Sequence, residues 1–291
     1  MTGLNKIGPA MSSKFKTYCI IGDPIEHSLS PLMQNSAFKE LKLNCTYIAF
    51  RVPKHDLKDS IASLKSTGIS GFNVTLPHKV EIMKYLDNLD NTAINAGAVN
   101  TVKNENNELV GYNTDIYGFI HPLHQRHIDF TGLRVLIIGA GGAAKAIVAA
   151  LSSENYLDKL VVVNRSFQNC ISLSKHCSSL GIDCICKPLD EINSIAINSD
   201  LIINSSSLGL NQEKSLIDSS SIKTSSIVYD IVYKPMVTNL LKNAKKANAT
   251  LIYGYEMLLA QGTKAFTIWT GLEAPEQIMK NSLLGIFGEP K

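Results

Sequence analysis

The chain has little of what marks a nucleic-acid binder, a membrane protein or a disulfide-stapled domain. Its 28 Lys and Arg nearly balance 25 Asp and Glu, leaving a net charge of +3. No long basic run gathers that charge into a face for phosphate backbones, so no nucleic-acid partner is expected. No apolar run reaches the length of a membrane span, and residues Met1 to Ser13 lack the apolar stretch of a signal peptide. A cytoplasmic protein with no membrane partner is the expectation, with Met11 as an alternative start. The six cysteines, Cys19, Cys45, Cys170, Cys177, Cys184 and Cys186, form no CxxC and no paired metal-ligand spacing. They read as reduced, partly buried thiols, with Cys184 and Cys186 expected on opposite faces of a strand. His121, His124 and His127 recur every three residues. Without Asp or Cys partners they read as solvated or packing histidines, and no metal is expected. The single tryptophan, Trp269, lies in Ala265–Trp269 and reads as core packing of a late helix.

What the chain does have is concentrated in a few polar and glycine-rich stretches. At 291 residues and 45% hydrophobic content it is long enough for two domains with separate cores. In mid-chain the apolar run Val135–Ile138 breaks into Gly139-Ala140-Gly141-Gly142-Ala143-Ala144 and then a helix-forming run, Lys145 to Leu151. Strand, Gly-x-Gly-x-x-Ala, helix is the context of a dinucleotide-binding turn. Gly139 permits the tight turn, Gly141 lets the backbone approach a pyrophosphate, and Ala144 suits close helix–strand packing. Free N–H groups at the helix start face the phosphates. Further strands are expected at Lys159–Val163, Leu201–Ile203, Ile227–Asp230 and Leu251–Tyr253, alternating with helical segments as in a parallel sheet covered on both faces. The second strand ends in Asn164-Arg165-Ser166, where NAD binders commonly place a carboxylate for the ribose 2′-OH. A guanidinium there suits a 2′-phosphate instead, which favours NADP(H). A solvated surface arginine is the plainer alternative.

The first half is also α/β. Tyr18–Ile21 reads as a buried strand followed by a loop and His27-Ser28-Leu29-Ser30-Pro31. Ser30 as N-cap with Pro31 at the first helical position starts a helix, and Ser28, not needed for that cap, leaves room for an anionic ligand. Gly71–Thr75 reads as a strand, after which Pro77 is expected to open a helix with Lys79 in its first turn. An ammonium there opposes the helix dipole, so it is misplaced for structure alone. Ala98–Val102 and Leu109–Asp115 suggest a hairpin. Asp115 is either a helix cap or, with Lys79 in a cleft between domains, half of a proton-transfer pair.

Taken together these blocks resemble the shikimate dehydrogenase family from about Lys16 to Phe287. The resemblance is carried by Gly22-Asp-Pro-Ile-Glu-His-Ser-Leu-Ser-Pro31, Asn73-Val-Thr-Leu-Pro-His-Lys79, Gly97-Ala-Val-Asn-Thr101 and Gly111-Tyr-Asn-Thr-Asp115. The glycine turn with Asn164-Arg165-Ser166 and Gly254-Tyr-Glu-Met-Leu-Leu-Ala-Gln261 complete it. It implies two α/β domains, an open substrate-binding domain over residues 14–117 and 251–291 and a Rossmann-type parallel-sheet NADP-binding domain over 118–250. It implies that Ser28 and Ser30 hold the shikimate carboxylate, that Thr75 helps enclose the ring, and that Asn100, Asp115 and Gln261 bind ring hydroxyls. Tyr233 would be another substrate contact and Lys79, held by Asp115, the catalytic lysine. Gly139, Gly141, Gly142, Ala143, Asn164, Arg165 and Ser166 would form the NADP site, with Gly254 and Met257 near the nicotinamide. The activity implied is reversible NADPH-dependent reduction of 3-dehydroshikimate to shikimate, by a monomer or homodimer. The chain departs from the family at Asn169, where many members carry a second Arg or Lys, so one 2′-phosphate clamp is absent. Keeping both serines argues for shikimate over quinate. A quinate/shikimate enzyme of relaxed cofactor use, a folate-type dehydrogenase and a nucleotide-sensing module without turnover are the rival readings. The folate-type reading gives no reason for the Ser28/Ser30 pair, and the sensing module none for Lys79 and Asp115.

Overall fold

The computed structural model describes residues 15–154, 157–210 and 215–288. The chain opens with β1 (Lys16–Gly22), α1 (Ser30–Glu40), β2 (Cys45–Arg51), α2 (Leu57–Ser66), β3 (Gly71–Val74), a 3-10 turn (Glu81–Tyr85), β4 (Asn88–Leu89) and α3 (Asn91–Ala96). The hairpin β5 (Thr101–Glu105) and β6 (Glu108–Tyr112) leads into α4 (Asp115–His124). The next half alternates β7 (Arg134–Ile138), α5 (Gly142–Ser152), β8 (Lys159–Val163), α6 (Phe167–Ser179), β9 (Cys184–Lys187), α7 (Ile192–Ala196) and β10 (Leu201–Asn204). β11 (Ile227–Asp230), α8 (Asn239–Lys246), β12 (Thr250–Ile252), α9 (Gly254–Thr270) and α10 (Glu276–Phe287) follow.

These strands make two six-stranded sheets and two lobes. The second sheet, ordered β12-β11-β10-β7-β8-β9, is parallel throughout. That is the doubly wound order of a Rossmann fold, with the direction of winding reversing between β7 and β10, where ligands of such sheets bind. Its four central strands, β7, β8, β10 and β11, are buried apolar runs, as both-face coverage demands, while the edge strands β9 and β12 are partly exposed. The first sheet, β2-β1-β3-β5-β6-β4, is mixed, because the β5–β6 hairpin enters antiparallel to β3. After β12 the chain returns to this first sheet. Phe266, Trp269, Met279 and Leu283 pack with Tyr18, Met33, Phe38 and Tyr47 in one core. Trp269 is therefore core, and its indole N–H donates to Val102 O at 2.9 Å.

α4 and α9 cross tightly between the lobes. A β-carbon on Gly118 would lie 2.7 Å from Gln261 Cβ and 3.0 Å from Met257 O, so only glycine allows this approach. The crossing sets Asp115, at the start of α4, near Gln261 in the middle of α9.

Several local expectations are corrected. Ser30 is the first residue of α1 and not its cap, a shift of one position; Leu29 holds the cap position and makes no side-chain cap bond. Pro77 opens no helix: residues 76 and 77 form a turn, and regular 3-10 structure begins only at Glu81. Lys79 thus lies in a turn and not in the first turn of a helix of its own. Asp115 begins α4, but the N-cap position belongs to Thr114, whose side chain makes no cap bond; Asn113 Oδ1 accepts the Ile116 N–H at 3.2 Å instead. Cys170 and Cys186 form a disulfide, with Cα atoms 5.9 Å apart, so these two thiols are not free. Cys177 and Cys184 remain free thiols. Both strand cysteines turn toward α6, because positions two apart share one face of a strand. His121 stacks on Tyr117 and His124 meets Glu154 at 2.9 Å, while His127 lies beyond the end of α4. Among the described residues no cluster of His, Cys, Asp and Glu is placed to hold a metal ion. Nor is any helix among them long and apolar enough to cross a membrane.

Candidate active site

The polar ends of β3, β5, β6 and the start of α4 converge in the cleft between the lobes. Lys79 Nζ lies 2.6 Å from Asp115 Oδ2, and the two side chains are 15% and 6% exposed. Removed from most solvent, the pair is screened far less than a surface ion pair. The other carboxylate oxygen, Oδ1, accepts from Asn100 Nδ2 at 2.8 Å. The Asn100 amide cannot be reversed, because its Oδ1 accepts from the Thr114 backbone N–H at 2.7 Å. Asp115 is therefore oriented from one side by Asn100 and holds the ammonium on the other.

Behind this pair lies a buried polar relay. Asn73 Nδ2 donates to Thr101 Oγ1 at 2.9 Å and to Asn100 O at 3.0 Å. Thr101 in turn donates to Asn100 Oδ1 at 3.0 Å, and the Tyr47 hydroxyl donates to Asn73 Oδ1 at 2.6 Å. Burial holds the Tyr47 phenol well above its usual pKa, the nearby Cys19 adds to this and a hydrogen bond with Ser30 opposes it, so it stays a neutral donor. Ser30 is buried, and Ser28 Oγ accepts its backbone N–H at 3.3 Å. The two serines thus join the Lys79 region through Tyr47 and Asn73. Thr75 follows β3, its backbone N–H bonded to Ile21 O at 2.9 Å, beside the loop that leads to Ser28. Gln261 approaches the group from α9, with Oε1 3.4 Å from Thr114 Oγ1. Next to Lys79, His78 is fully buried and its Nε2 lies 2.6 Å from Val52 O. That contact makes Nε2 the protonated nitrogen and fixes the turn that presents Lys79.

Of the residues singled out from the sequence, Lys79, Asp115, Asn100 and Gln261 meet in one network, and Ser28, Ser30 and Thr75 border it. Tyr233 stands apart, on the loop after β11, with its phenol pKa raised by burial. Tyr47, Asn73, Thr101 and Thr114 were given no role by the sequence reading. A buried asparagine in the middle of Gly71–Val74 was the one available signal, since a polar side chain inside an apolar strand needs a partner. Tyr47 carried none.

The second half of the cleft is the glycine turn. Gly139 adopts φ +108°, a conformation that favours glycine. Gly141 caps α5, is exposed, and a β-carbon there would meet nothing within 4 Å. That open space lies over unpartnered N–H groups at a helix N-terminus, which suits a pyrophosphate. Gly142 and Ala143 open α5 half-buried, and Ala144 is fully buried. At the end of β8, Asn164 Nδ2 donates to Ser166 O at 3.0 Å, Ser166 caps α6 through Asn169 N at 3.3 Å, and Arg165 is exposed. These residues fit a dinucleotide with a 2′-phosphate. Gly254 is the first residue of α9 and buried, while Met257 packs into the core of the second lobe.

Comparison with known proteins gives a consistent result. Residues 20–102 match the shikimate dehydrogenase substrate binding domain, residues 123–248 the shikimate/quinate 5-dehydrogenase family, and residues 254–284 the shikimate 5'-dehydrogenase C-terminal domain. A shikimate dehydrogenase (NADP(+)) of Nitrosopumilus maritimus is 47% identical, over 94% of this chain and 99% of its own length. A shikimate dehydrogenase crystallised with NADP+ superposes with a TM-score of 0.87 at 38% identity, covering 97% of this chain and 99% of the other. The Listeria monocytogenes shikimate 5-dehydrogenase, solved with shikimate and NAD, gives a TM-score of 0.83 at 33% identity, covering 96% and 100%.

Proposed function

The chain belongs to the shikimate dehydrogenase family, and from that premise we propose that it catalyses the reversible NADP(H)-dependent reduction of 3-dehydroshikimate to shikimate. The observation that carries the proposal is the Lys79–Asp115 pair, 2.6 Å apart and mostly buried, at the mouth of the glycine turn. Bound NADPH supplies the hydride. The chain supplies the rest. Lys79 donates a proton to the oxygen at which negative charge develops, or stabilises that charge, and such a cation favours the transition state over the neutral carbonyl. Asp115 and Asn100 hold the lysine and contact ring hydroxyls with Gln261. Ser28 and Ser30 bind the carboxylate, Thr75 encloses the ring, and Tyr233 closes on it from the second lobe. Gly139, Gly141, Gly142 and Ala143 accommodate the pyrophosphate, and Asn164, Arg165 and Ser166 the 2′-phosphate ribose. Gly254 and Met257 border the nicotinamide half. We take residues 14–117 with 251–291 as the substrate lobe and 118–250 as the nucleotide lobe; two sheets with separate cores support the division, except that β12 pairs with β11 and puts Ile252 in the second core, so the return to the first lobe falls after β12.

The test is absorbance at 340 nm with NADP⁺ or NAD⁺ and shikimate or quinate in all four combinations. Rapid reduction with shikimate and NADP⁺ alone supports the assignment. Equal rates with NAD⁺ place the loss of selectivity at Asn169, turnover of quinate broadens the substrate, and no turnover in any combination overturns the reading.

A further inference from the structure

Asp230 is a fully buried carboxylate that none of the steps above uses. It ends β11, and it accepts three hydrogen bonds. Oδ1 receives Asn204 Nδ2 at 2.9 Å and the Val232 N–H at 3.0 Å, and Oδ2 receives Thr238 Oγ1 at 2.6 Å. Burial pushes the carboxyl up to about 6, and the three hydrogen bonds only partly offset it. Burial disfavours the charge of such a carboxylate, and groups of this kind gather at functional sites.

Its partners lie on three segments around the carboxyl ends of the second sheet. Asn204 ends β10, and its Oδ1 accepts from Ser206 N at 3.1 Å and Ser206 Oγ at 2.7 Å. That segment packs under the glycine turn, since a β-carbon on Gly139 would meet Ser205 Oγ at 2.9 Å and Ser206 N at 3.0 Å. Val232 precedes Tyr233, and the Ile231 and Val232 carbonyl oxygens each lie 2.5 Å from where a β-carbon on Gly254 would sit. Thr238 caps α8, accepting Leu241 N at 3.3 Å. One carboxylate thus ties together the floor of the glycine turn, the approach to Tyr233 and the first residue of the helix that carries Gln261.

The side of the sheet matters. Arg165 follows β8, on one side of the switch point between β7 and β10, and the pyrophosphate site lies over α5 at that point. A dinucleotide held with its 2′-phosphate at Arg165 and its pyrophosphate at the start of α5 would carry its reacting half to the other side, toward β10 and β11. We propose that Asp230 is a positioning residue for hydride transfer, fixing the loops beneath the reacting half of the cofactor through Asn204, Val232 and Thr238. The proposal rests on the NADP(H)-dependent dehydrogenase reading above.

Asp230→Asn keeps the shape and removes the charge; Thr238→Val removes one donor, and Thr238→Ser retains it. For Asp230→Asn, kcat for shikimate oxidation is expected to fall at least about tenfold. The primary isotope effect on kcat, with deuterium at the carbon that loses the hydride, rises. Binding of 2′,5′-ADP, which fills the adenosine half alone, stays within about twofold of the wild type. Thr238→Val moves the same readouts in the same direction, and Thr238→Ser restores them; this pair carries the test if Asp230→Asn does not fold. An unchanged kcat, or a loss of kcat matched by loss of 2′,5′-ADP binding at an unchanged isotope effect, overturns the proposal. An inactive wild type overturns the functional reading and this proposal with it, whereas an active wild type beside an unaffected Asp230→Asn overturns the proposal alone.

Discussion

Lys79 of the first lobe lies against Gly142 of the second: a β-carbon built on Gly142 would sit 3.4 Å from Lys79 Cβ and 3.5 Å from Lys79 Cδ. The lysine stem runs over the first residue of α5 while its ammonium is held by Asp115. The proton donor is thereby placed at the edge of the space open to the dinucleotide. Gly142→Val should push the stem aside and lower kcat by roughly 10²-fold, the cost of a misplacement of about 1 Å. Steady-state rates together with a melting curve check this, and a full rate in a folded variant would show that the contact is incidental.

Lys79→Ala should lose most of kcat, by about 10²- to 10⁴-fold, the usual worth of positioned proton transfer. KM for shikimate should change little, because the interaction is made chiefly in the transition state. A large rise in KM at unchanged kcat would make Lys79 a binding residue instead.

Arg165→Ala should raise KM for NADP⁺ roughly ten- to hundredfold, the loss of hydrogen bonds to a charged group worth about 1.5–3 kcal/mol. KM for NAD⁺ should stay near its wild-type value, since no 2′-phosphate is there to lose its partner. Parallel losses for both cofactors would assign Arg165 to the structure of the loop.

Away from the site, Asp200 offers a test of stability against pH. Its carboxylate accepts from Arg134 Nε at 2.9 Å and from Lys223 Nζ at 2.7 Å. Arg134 first, and then Lys223, hold its pKa far below the usual carboxylate range against the opposing effect of burial. A depressed folded-state pKa means that the stabilisation is complete above the unfolded value of about 3.9 and fades as pH falls through the folded value. Asp200→Asn should therefore cost on the order of 1–2 kcal/mol at pH 7, reduced by the partial exposure of Arg134. Urea titrations of both proteins should show the gap narrowing below about pH 4. A gap independent of pH would mean that shape, and not charge, sets the contribution of this residue.

The parts of the protein legible in the sequence are those governed by neighbours in the chain. The run Val135–Ile138 followed by Gly139 and Gly141 is a strand, a turn and a helix start because local sterics and unpaired N–H groups allow little else. Arg165 could be placed at the end of β8 for the same reason. Boundaries were less secure. Ser30 fell one residue inside its helix, and Pro77 formed a turn where a helix start was expected, because a proline favours several local conformations and only the surroundings select one. The Cys170–Cys186 disulfide was missed because it depends on α6 lying across β9, which no spacing of cysteines announces.

By itself the sequence determined the alternation of strands and helices, the dinucleotide turn and the kinds of polar residue available for chemistry. Only the tertiary structure decided which of them meet. Lys79 and Asp115 are 36 residues apart, and Thr114 and Gln261 are 147 apart. The first contact follows from the β3-β5-β6 order of the first sheet, which sets the ends of β3 and β6 beside one another, and the second from the close crossing of α4 and α9 at Gly118. Tyr47 and Asn73 became part of the site through the sheet order, since a buried hydroxyl on β2 and a buried amide on β3 meet across β1 and must satisfy each other once water is excluded. Local rules act over a few residues, whereas the position of a side chain across a cleft is set by how whole layers pack.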